Sequence, residues 1–511
     1  MRAAVIDIGS SSIKLIIGER DEDSVKILES LKNVLPIGKQ TFFKGRISQE
    51  LINQTISFLE KYKQVLKEYE VTNVRVIATT AVREAANKDI FLDTVTRKTG
   101  FTIEIFNVGD VIYYIDTYLS KKLKKAYPIH EKNLIIAELG AGSLDISVME
   151  KGQMLMNLGF PIGTLRLRQF MTNLDGSLSE IYEAVREYIE NEMMQLKRSI
   201  PQLPIDDIIL IDENYSAYLQ NILPNKRRES NFFKFKSNES DEFLEKLVDR
   251  NSDDIATTYK VPSEMADTII GYASIISLFF KLTKNDYIYI LETSLAEAIL
   301  ANVLFQLEYA AESNKASQLI SVAKFLCEKF NMDLKHTRQI AKLAGDLFDC
   351  LRESLGLEEK DSLYLTLASY LHDIGMFINN RSHHKHTEYV ISSLNLFRLT
   401  DEEIKIIACI GRYHRRASPA ASHTLYNSLN QEKQILVQKL SSLLRIANAL
   451  DRSHKQKVKR LEVNLSKKQD VSLVVYTNEN FLLEKSSFAE KKDLFEEVTG
   501  NKINLVIKSA E

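Results

Sequence analysis

The chain has only three cysteines in 511 residues, Cys327, Cys350 and Cys409, far apart and without a C-x-x-C pair. That excludes a disulfide framework and a thiolate zinc site, and it fits a reducing, cytoplasmic compartment. Charge of either sign is not in excess: 67 Lys and Arg stand against 69 Asp and Glu, a formal net charge of −2. No global basic field therefore directs the chain to nucleic acid. Long hydrophobic runs are missing too. The most apolar stretch, Ile269 to Phe280, is too short and too interrupted to span a bilayer, so no membrane partner is expected. The first residues read at once as a strand, which leaves no room for a signal peptide. Tryptophan is absent, which excludes nothing functional. Against these absences stand 44% hydrophobic and 27% charged residues, the proportions of an ordinary globular protein with ample core. The length calls for three or four domains.

The most informative feature is a pattern that occurs twice. In the first copy, apolar residues from Ala3 lead to Asp7, then Gly9, Ser10, Ser11 and Ser12, then an apolar return strand to Gly18. In the second, Leu134 to Ala137 lead to Glu138, then Gly140, Ala141, Gly142 and Ser143, then a return strand through Asp145 to Val148. Each reads as a buried strand, a carboxylate at its end, a tight small-residue turn and a strand running back. Such a turn lets backbone N–H groups approach an anion closely. The carboxylate can hold a cation or a water beside it. One Gly-Ser hairpin alone is common, but two copies imply a duplicated domain facing itself across a phosphate-binding cleft.

Around these hairpins, residues 1–130 alternate strand and helix patterns, with strands at Val74–Ala78 and Phe101–Phe106 and helices over Gln49–Tyr69 and Val111–Lys125. Residues 131–310 repeat the theme, with a long helix near Leu178–Ser199 and a strand at Ile208–Ile211. This alternation is the α/β signature. The polar stretch Asn225–Asp254, with four phenylalanines, reads as a surface excursion. Residues 311–457 are helical in period, with Ile340, Leu343, Leu347 and Leu351 on one face. The polar segment Ala311–Ser317 marks their start. Residues 458–511 form a small α/β cap: strands Arg460–Leu465, Val471–Tyr476 and Lys502–Ile507, with a helix over Ser487–Val498 between the last two.

The hairpin pattern resembles the phosphate loops of the actin/Hsp70/sugar-kinase (ribonuclease H-like) superfamily. Within it, the ordered motifs resemble the exopolyphosphatase/guanosine pentaphosphate phosphatase (Ppx/GppA) family. Asp7-Ile8-Gly9-Ser10-Ser11-Ser12 is similar to its D-x-G-S-N-S. Thr79 to Asn87 is similar to its T-x-A-x-R-x-A-x-N. Asn157 to Leu167 is similar to its L-x-x-G-x-x-R-L segment. The resemblance implies duplicated actin-like domains with Mg2+ in their cleft, and hydrolysis of inorganic polyphosphate or a guanosine tetra- or pentaphosphate. Asp7, Gly9, Ser10, Ser11, Ser12, Arg83, Gly140, Gly142 and Ser143 would bind phosphate, and Asp110, Glu138 and Asp145 would act in catalysis. Members of the family often form dimers, so a homodimer is a further expectation.

Several positions depart from the family pattern. Glu138 and Asp145 exchange the lengths of the family's acids, and Ala141 replaces a glycine. Val111 occupies the place of the glutamate that activates water; Asp110, one residue earlier, is rotated by about 100° on a helix. The segment Ile211 to Ser216 has Asp212 and Glu213 where the family has a Gly-rich turn.

In the helical region the order His336, His372-Asp373, Asp451 resembles the HD phosphohydrolase superfamily. That resemblance implies an all-α HD-like domain whose imidazoles and carboxylates suit Mn2+, Fe2+, Zn2+ or Mg2+. His386 and His414 stand where some HD enzymes hold a second metal. Histidines of such domains can also be purely structural. Lys385, Arg412, Arg415 and Arg416 form either a solvated face or a guide for a polyanion. Three functions follow: hydrolysis of a terminal phosphoanhydride in the N-terminal cleft; a ligand-sensing cleft with hydrolysis at the HD centre; or a regulator that binds without turnover.

Overall fold

In the computed structural model the first strand, β1 (Arg2–Ile8), buries Ala3, Ala4, Val5, Ile6 and Ile8. A strand apolar on both faces belongs inside a sheet covered on both sides. It pairs antiparallel with β2 (Ser12–Asp21), and β2 with β3 (Ser24–Val34). On its other side β1 runs parallel to β4 (Val74–Ala78), which runs parallel to β5 (Ile103–Ile105). The order is β3-β2-β1-β4-β5. Parallel pairs need crossovers, and the helix Gln49–Glu68 supplies one. The Ser48 hydroxyl caps it by accepting from the Leu51 N–H at 3.3 Å, and its face of Leu51, Ile52, Leu59, Tyr62 and Leu66 is buried. These residues join Ile6, Ile8, Leu15 and Val76 in one apolar core.

The second sheet repeats this plan. It contains β6 (Asn133–Leu139), β7 (Leu144–Glu150), β8 (Gln153–Phe160), β9 (Asp207–Asp212), β10 (Arg228–Glu229), β11 (Phe232–Lys236) and β12 (Tyr287–Glu292). Its order is β10-β11-β12-β9-β6-β7-β8. The five strands β8-β7-β6-β9-β12 match β3-β2-β1-β4-β5 in order and in parallel or antiparallel sense. β11 and β10 extend the far edge, antiparallel to β12 and to each other. The expected surface excursion is therefore not one: Phe232, Phe233 and Phe235 are buried in that edge strand, and the helix Ser237–Val248 follows. Three aromatics in four residues outweigh the polar residues around them.

The structure describes all residues except 124–126, 201–202, 214, 225–227, 230–231, 284, 308–311, 395, 416, 467–469 and 511, and the backbone alone at 228–229 and 312–314. The described chain divides into two compact units, Met1–Asn314 and Lys315–Glu511. The polar segment expected as a break lies largely inside the helix Glu312–Lys329. In the second unit the helices Leu334–Leu355, Asp361–Leu371, His383–Ser392, Asp401–Arg412 and Gln431–Leu450 pack together. A three-stranded sheet follows, with β14 (Val471–Tyr476) between β13 (Arg460–Leu465) and β15 (Ile503–Lys508). The helix expected over Ser487–Val498 is two, Leu482–Lys491 and Asp493–Thr499, both against Gln431–Leu450.

Candidate functional site

In the first unit the two hairpins meet. The turn of the first is closed by the Gly9 N–H to Ser12 carbonyl bond, 2.9 Å, and that of the second by Gly140 N–H to Ser143 carbonyl, also 2.9 Å. A Cβ on Gly142 would lie 2.6 Å from the Ser10 hydroxyl and 3.1 Å from Thr80 Cβ, so only glycine lets the loops approach so closely. The Thr80 and Ser143 hydroxyls bond across the gap at 2.9 Å. Gly9, Ser10, Ser11, Ser12, Gly140, Gly142 and Ser143 all line the resulting cleft.

Beside the loops stand three carboxylates, Asp7, Glu138 and Asp145. Cross-strand register sets their pairing. Asp7 faces Lys14, whereas Glu138 faces Asp145. Like charges directly opposite in a sheet are destabilising, the more so when buried. Burial, then the nearby Glu213, pushes Asp7 up to about 7, against Lys14 and Lys32. Burial pushes Asp145 up to about 6 although Arg83 and Ser143 oppose it. Glu138 is raised well above the usual carboxylate range by burial, then by Asp145 and Asp7. Among the described residues, one buried oxygen of Asp7 and one of Asp145 find no hydrogen-bond partner. Hard oxygen donors with unpartnered lone pairs suit a divalent cation such as Mg2+.

Two expected residues play other parts. Asp110 closes a capping box on the helix Val108–Lys122: its carboxylate accepts from the Asn107 N–H at 2.9 Å, and the Asn107 side chain accepts from its own N–H at 2.9 Å. Val111 lines the cleft; Asp110 does not. Arg83 is also absent from the lining. Its guanidinium donates to the Phe106 carbonyl and, at 3.1 Å, to the Thr80 hydroxyl, so it reaches the cleft through Thr80 and Ser143. The Gly163–Leu167 segment braces the second loop. Thr164 and Leu165 N–H donate to the Gly140 and Ala141 carbonyls, and Arg166 Nε donates to the Gly142 carbonyl at 2.6 Å.

Sequence reading missed Lys14, Lys32 and Ser294, and gave no site role to Thr80 or Glu213; all five line or bridge the cleft. Lys14 Nζ pairs with Glu213 at 2.5 Å and donates to Ser294 Oγ at 3.5 Å. Lys14 was findable as the residue opposite Asp7 in a two-strand hairpin. Asp212, the other acid there, accepts from the Tyr215 N–H at 3.0 Å and binds the Ser216 N–H and the Tyr272 hydroxyl. It holds its own turn; Asn214 lies outside the described residues.

The second unit gathers a separate cluster around Asp373. His372, His383 and His414 each place Nδ1 against the backbone carbonyl three residues earlier, at 2.8, 3.0 and 2.6 Å. A carbonyl only accepts, so each Nδ1 carries a proton, and each Nε2 is left to donate to Asp373 when protonated or to offer a lone pair when not. These Nε2 atoms lie 3.4, 3.2 and 3.4 Å from Asp373 oxygens. His336 Nδ1 is 2.8 Å from Asp451, and among the described residues its buried Nε2 has no hydrogen-bond partner, while that of His372 has only Asp373. His383 Nε2 and His414 Nε2 face each other at 3.2 Å. Burial keeps His336 and His414 below the ordinary imidazole value. At His372 Asp373 outweighs the burial, and its pKa rises. Asp373 itself lies well below the carboxylate range, because His372, His383 and His414 outweigh its burial. A proton and a metal ion compete for the same lone pairs there.

Three expectations change here. Asp451 stands behind His336 and orients it, while His454 stacks on His336 at 3.6 Å and joins it and Asp373 in a metal-compatible triplet. His383, not His386, accompanies His414 beside Asp373. Of the basic group, Arg412 is engaged by Glu388, Arg415 is exposed, and Arg416 lies outside the described residues.

Two mirrored α/β sheets with facing hairpin loops define an actin-like fold. Solved structures of that fold include an exopolyphosphatase from Cytophaga hutchinsonii (TM-score 0.52, 20% identity, 60% of this chain and 98% of that one) and a Ppx/GppA family member from Aquifex aeolicus (0.51, 21%, 60% and 98%). The model of the Ppx/GppA phosphatase family matches residues 15–306, and that of its domain III matches 320–497. The chain belongs to the Ppx/GppA phosphatase family. Among similar proteins, a guanosine-5'-triphosphate,3'-diphosphate pyrophosphatase of Pseudoalteromonas translucida is 21% identical over 87% of this chain and 86% of its own. Exopolyphosphatase 1 of Mycobacterium leprae is 23% identical over 38% and 56%.

Proposed function

We propose that the cleft of the first unit hydrolyses a terminal phosphoanhydride of inorganic polyphosphate or of a guanosine pentaphosphate. The observation that carries this reading is the meeting of the two hairpin loops at Gly142 and Ser10 beside Asp7, Glu138 and Asp145. Loop N–H groups would hold the terminal phosphate, with Lys14 and Lys32 adding charge. Mg2+ on Asp7 and Asp145 would neutralise charge that develops on phosphate oxygens. Water attacks phosphorus, the bridging P–O bond breaks, and the shortened chain leaves as the anion. Glu138 is our candidate to take the water's proton, because Val111 cannot and Asp110 is held in its capping box. The role is compatible with slow turnover, since the family's glutamate is missing. The test is phosphate release from long-chain polyphosphate and from guanosine pentaphosphate with Mg2+. Release lost in Glu138→Gln supports the reading; undiminished release in that variant sinks it.

A second reading is favoured by the three imidazoles whose Nε2 atoms lie within 3.4 Å of Asp373 oxygens and by His336 and His454 beside them. On it, the second unit is HD-like and holds Mn2+, Fe2+, Zn2+ or Mg2+ on His336, His372 and Asp373, with Asp451 in support and a further ion on His383 and His414. We carry the organisation as four domains, 1–130, 131–310, 311–457 and 458–511. Metal content of protein purified without chelator, then reloaded with Mn2+, tests this. A wild type that takes up none would reduce the cluster to structural hydrogen bonding.

A further inference from the structure

In the second unit a cavity of about 590 Å3 opens onto Asp373, His383 and His414. That volume suits one small molecule rather than a long chain. Arg415, Arg452 and Lys491 also line it, and Lys491 Nζ is fixed by the Asn448 side-chain oxygen at 3.0 Å. The loop bearing His414 and Arg415 is built in place. The fully buried Arg445 donates to the Tyr413 carbonyl at 2.8 Å and to the Ala417 carbonyl at 2.7 Å, on either side of it. Met376 and Leu483, 40% and 52% exposed, supply apolar surface to the lining. Arg415 and Arg452 balance two acids there, Asp373 and Glu490; burial lowers Lys491 to about 7, so it adds part of a charge, and a metal at Asp373 supplies the rest of the positive excess. A multiply charged anion with three acceptor oxygens answers that excess, and guanidinium groups match phosphate geometry.

We propose that this cavity binds a phosphate monoester of nucleoside-monophosphate size, its phosphate among Asp373-bound metal, Arg415, Arg452 and Lys491, its organic part against Met376 and Leu483. The inner end of the site rests on the metal reading of this unit. The test titrates the full chain, loaded with Mn2+, with AMP, ribose 5-phosphate and inorganic phosphate by calorimetry, and measures Mn2+ content in parallel. Saturable AMP binding is expected, weakened at least tenfold in Arg415→Ala/Arg452→Ala with Mn2+ content unchanged; both side chains are exposed, so the fold survives. Tighter binding of AMP than of inorganic phosphate is expected from the apolar surface. Mn2+ uptake without AMP binding, or AMP binding undiminished in the double variant, overturns the proposal while leaving the metal reading standing. No Mn2+ uptake with AMP binding that still falls in the double variant removes the metal and keeps the phosphate site.

Discussion

Val111 and Arg83 are the residues whose exchange is most informative. Val111 is 2% exposed and faces the cleft where a proton acceptor would serve. General-base catalysis contributes on the order of 10²–10⁴-fold, so Val111→Glu is expected to raise phosphate release by about tenfold or more, read as initial rate at fixed Mg2+. An unchanged or lower rate would show that the water is already served. Arg83→Ala removes the guanidinium that holds Thr80, and through it Ser143. Because Arg83 does not line the cleft, polyphosphate binding should weaken only through Thr80 and Ser143, by roughly 0.5–1.5 kcal/mol, the net value of one hydrogen bond. Calorimetry on folded protein checks this, and unaltered affinity would confine Arg83 to local bracing. Much of this site was legible: Asp7, Gly9 to Ser12, Glu138, Gly140 to Ser143 and Asp145 are contiguous with their strands, so short-range pattern places them. Asp110 was misread because a capping box is invisible until the helix start is fixed at Val108. His383 and His454 were missed because their neighbours come from other helices, although His454 lies only three residues after Asp451.

At the scale of elements, the Gly163–Leu167 segment acts as a brace behind the second hairpin. A Cβ on Gly163 would sit 2.4 Å from the Gly142 carbonyl carbon and the Ser143 nitrogen, both backbone. Gly163→Ala must therefore displace the loop, and a loss of roughly 1–3 kcal/mol in stability is expected, as for other overpacked sites. Denaturant titration measures it, and a variant as stable as wild type would mean the loop yields freely. The helix Val108–Lys122 carries an independent pH signature. Burial alone pushes Asp116 up to about 7 from 3.8. Below the lower value both states are protonated. Between the two values the unfolded chain loses its proton and the folded one keeps it, so stability falls as pH rises through that window. Asp116→Asn should remove this loss, leaving the variant more stable than wild type by on the order of 4 kcal/mol above pH 7 and by little at pH 4. Parallel denaturation curves at the two pH values would contradict it. The central strands β1, β2, β4, β6, β7 and β9 could be read from their apolar runs; β3, β8 and β12 were not read, and the half-exposed β3 carries no such run. The edge strand Phe232–Lys236 could not be read, because its partner Tyr287–Glu292 lies far along the chain.

For the whole molecule, two units carry two kinds of chemistry. The first unit offers oxygen donors and backbone N–H groups, which suit a hard cation and a phosphate chain. The second offers imidazole nitrogens around one carboxylate, which suit a transition metal. Duplication of the α/β plan could be inferred from the repeated hairpin, since each copy needs its own sheet to bury it. Convergence of His336, His372, His383, His414 and His454 on Asp373 needed coordinates, because helix packing rather than spacing brings them together. The most direct measurement is phosphate release from long-chain polyphosphate with Mg2+, made side by side on wild type, Glu138→Gln and His372→Ala/Asp373→Ala. Release by wild type, abolished in Glu138→Gln and retained in the histidine-aspartate double variant of intact fold, is the expected result. Release that survives in Glu138→Gln and disappears in the double variant would contradict the assignment of hydrolysis to the cleft.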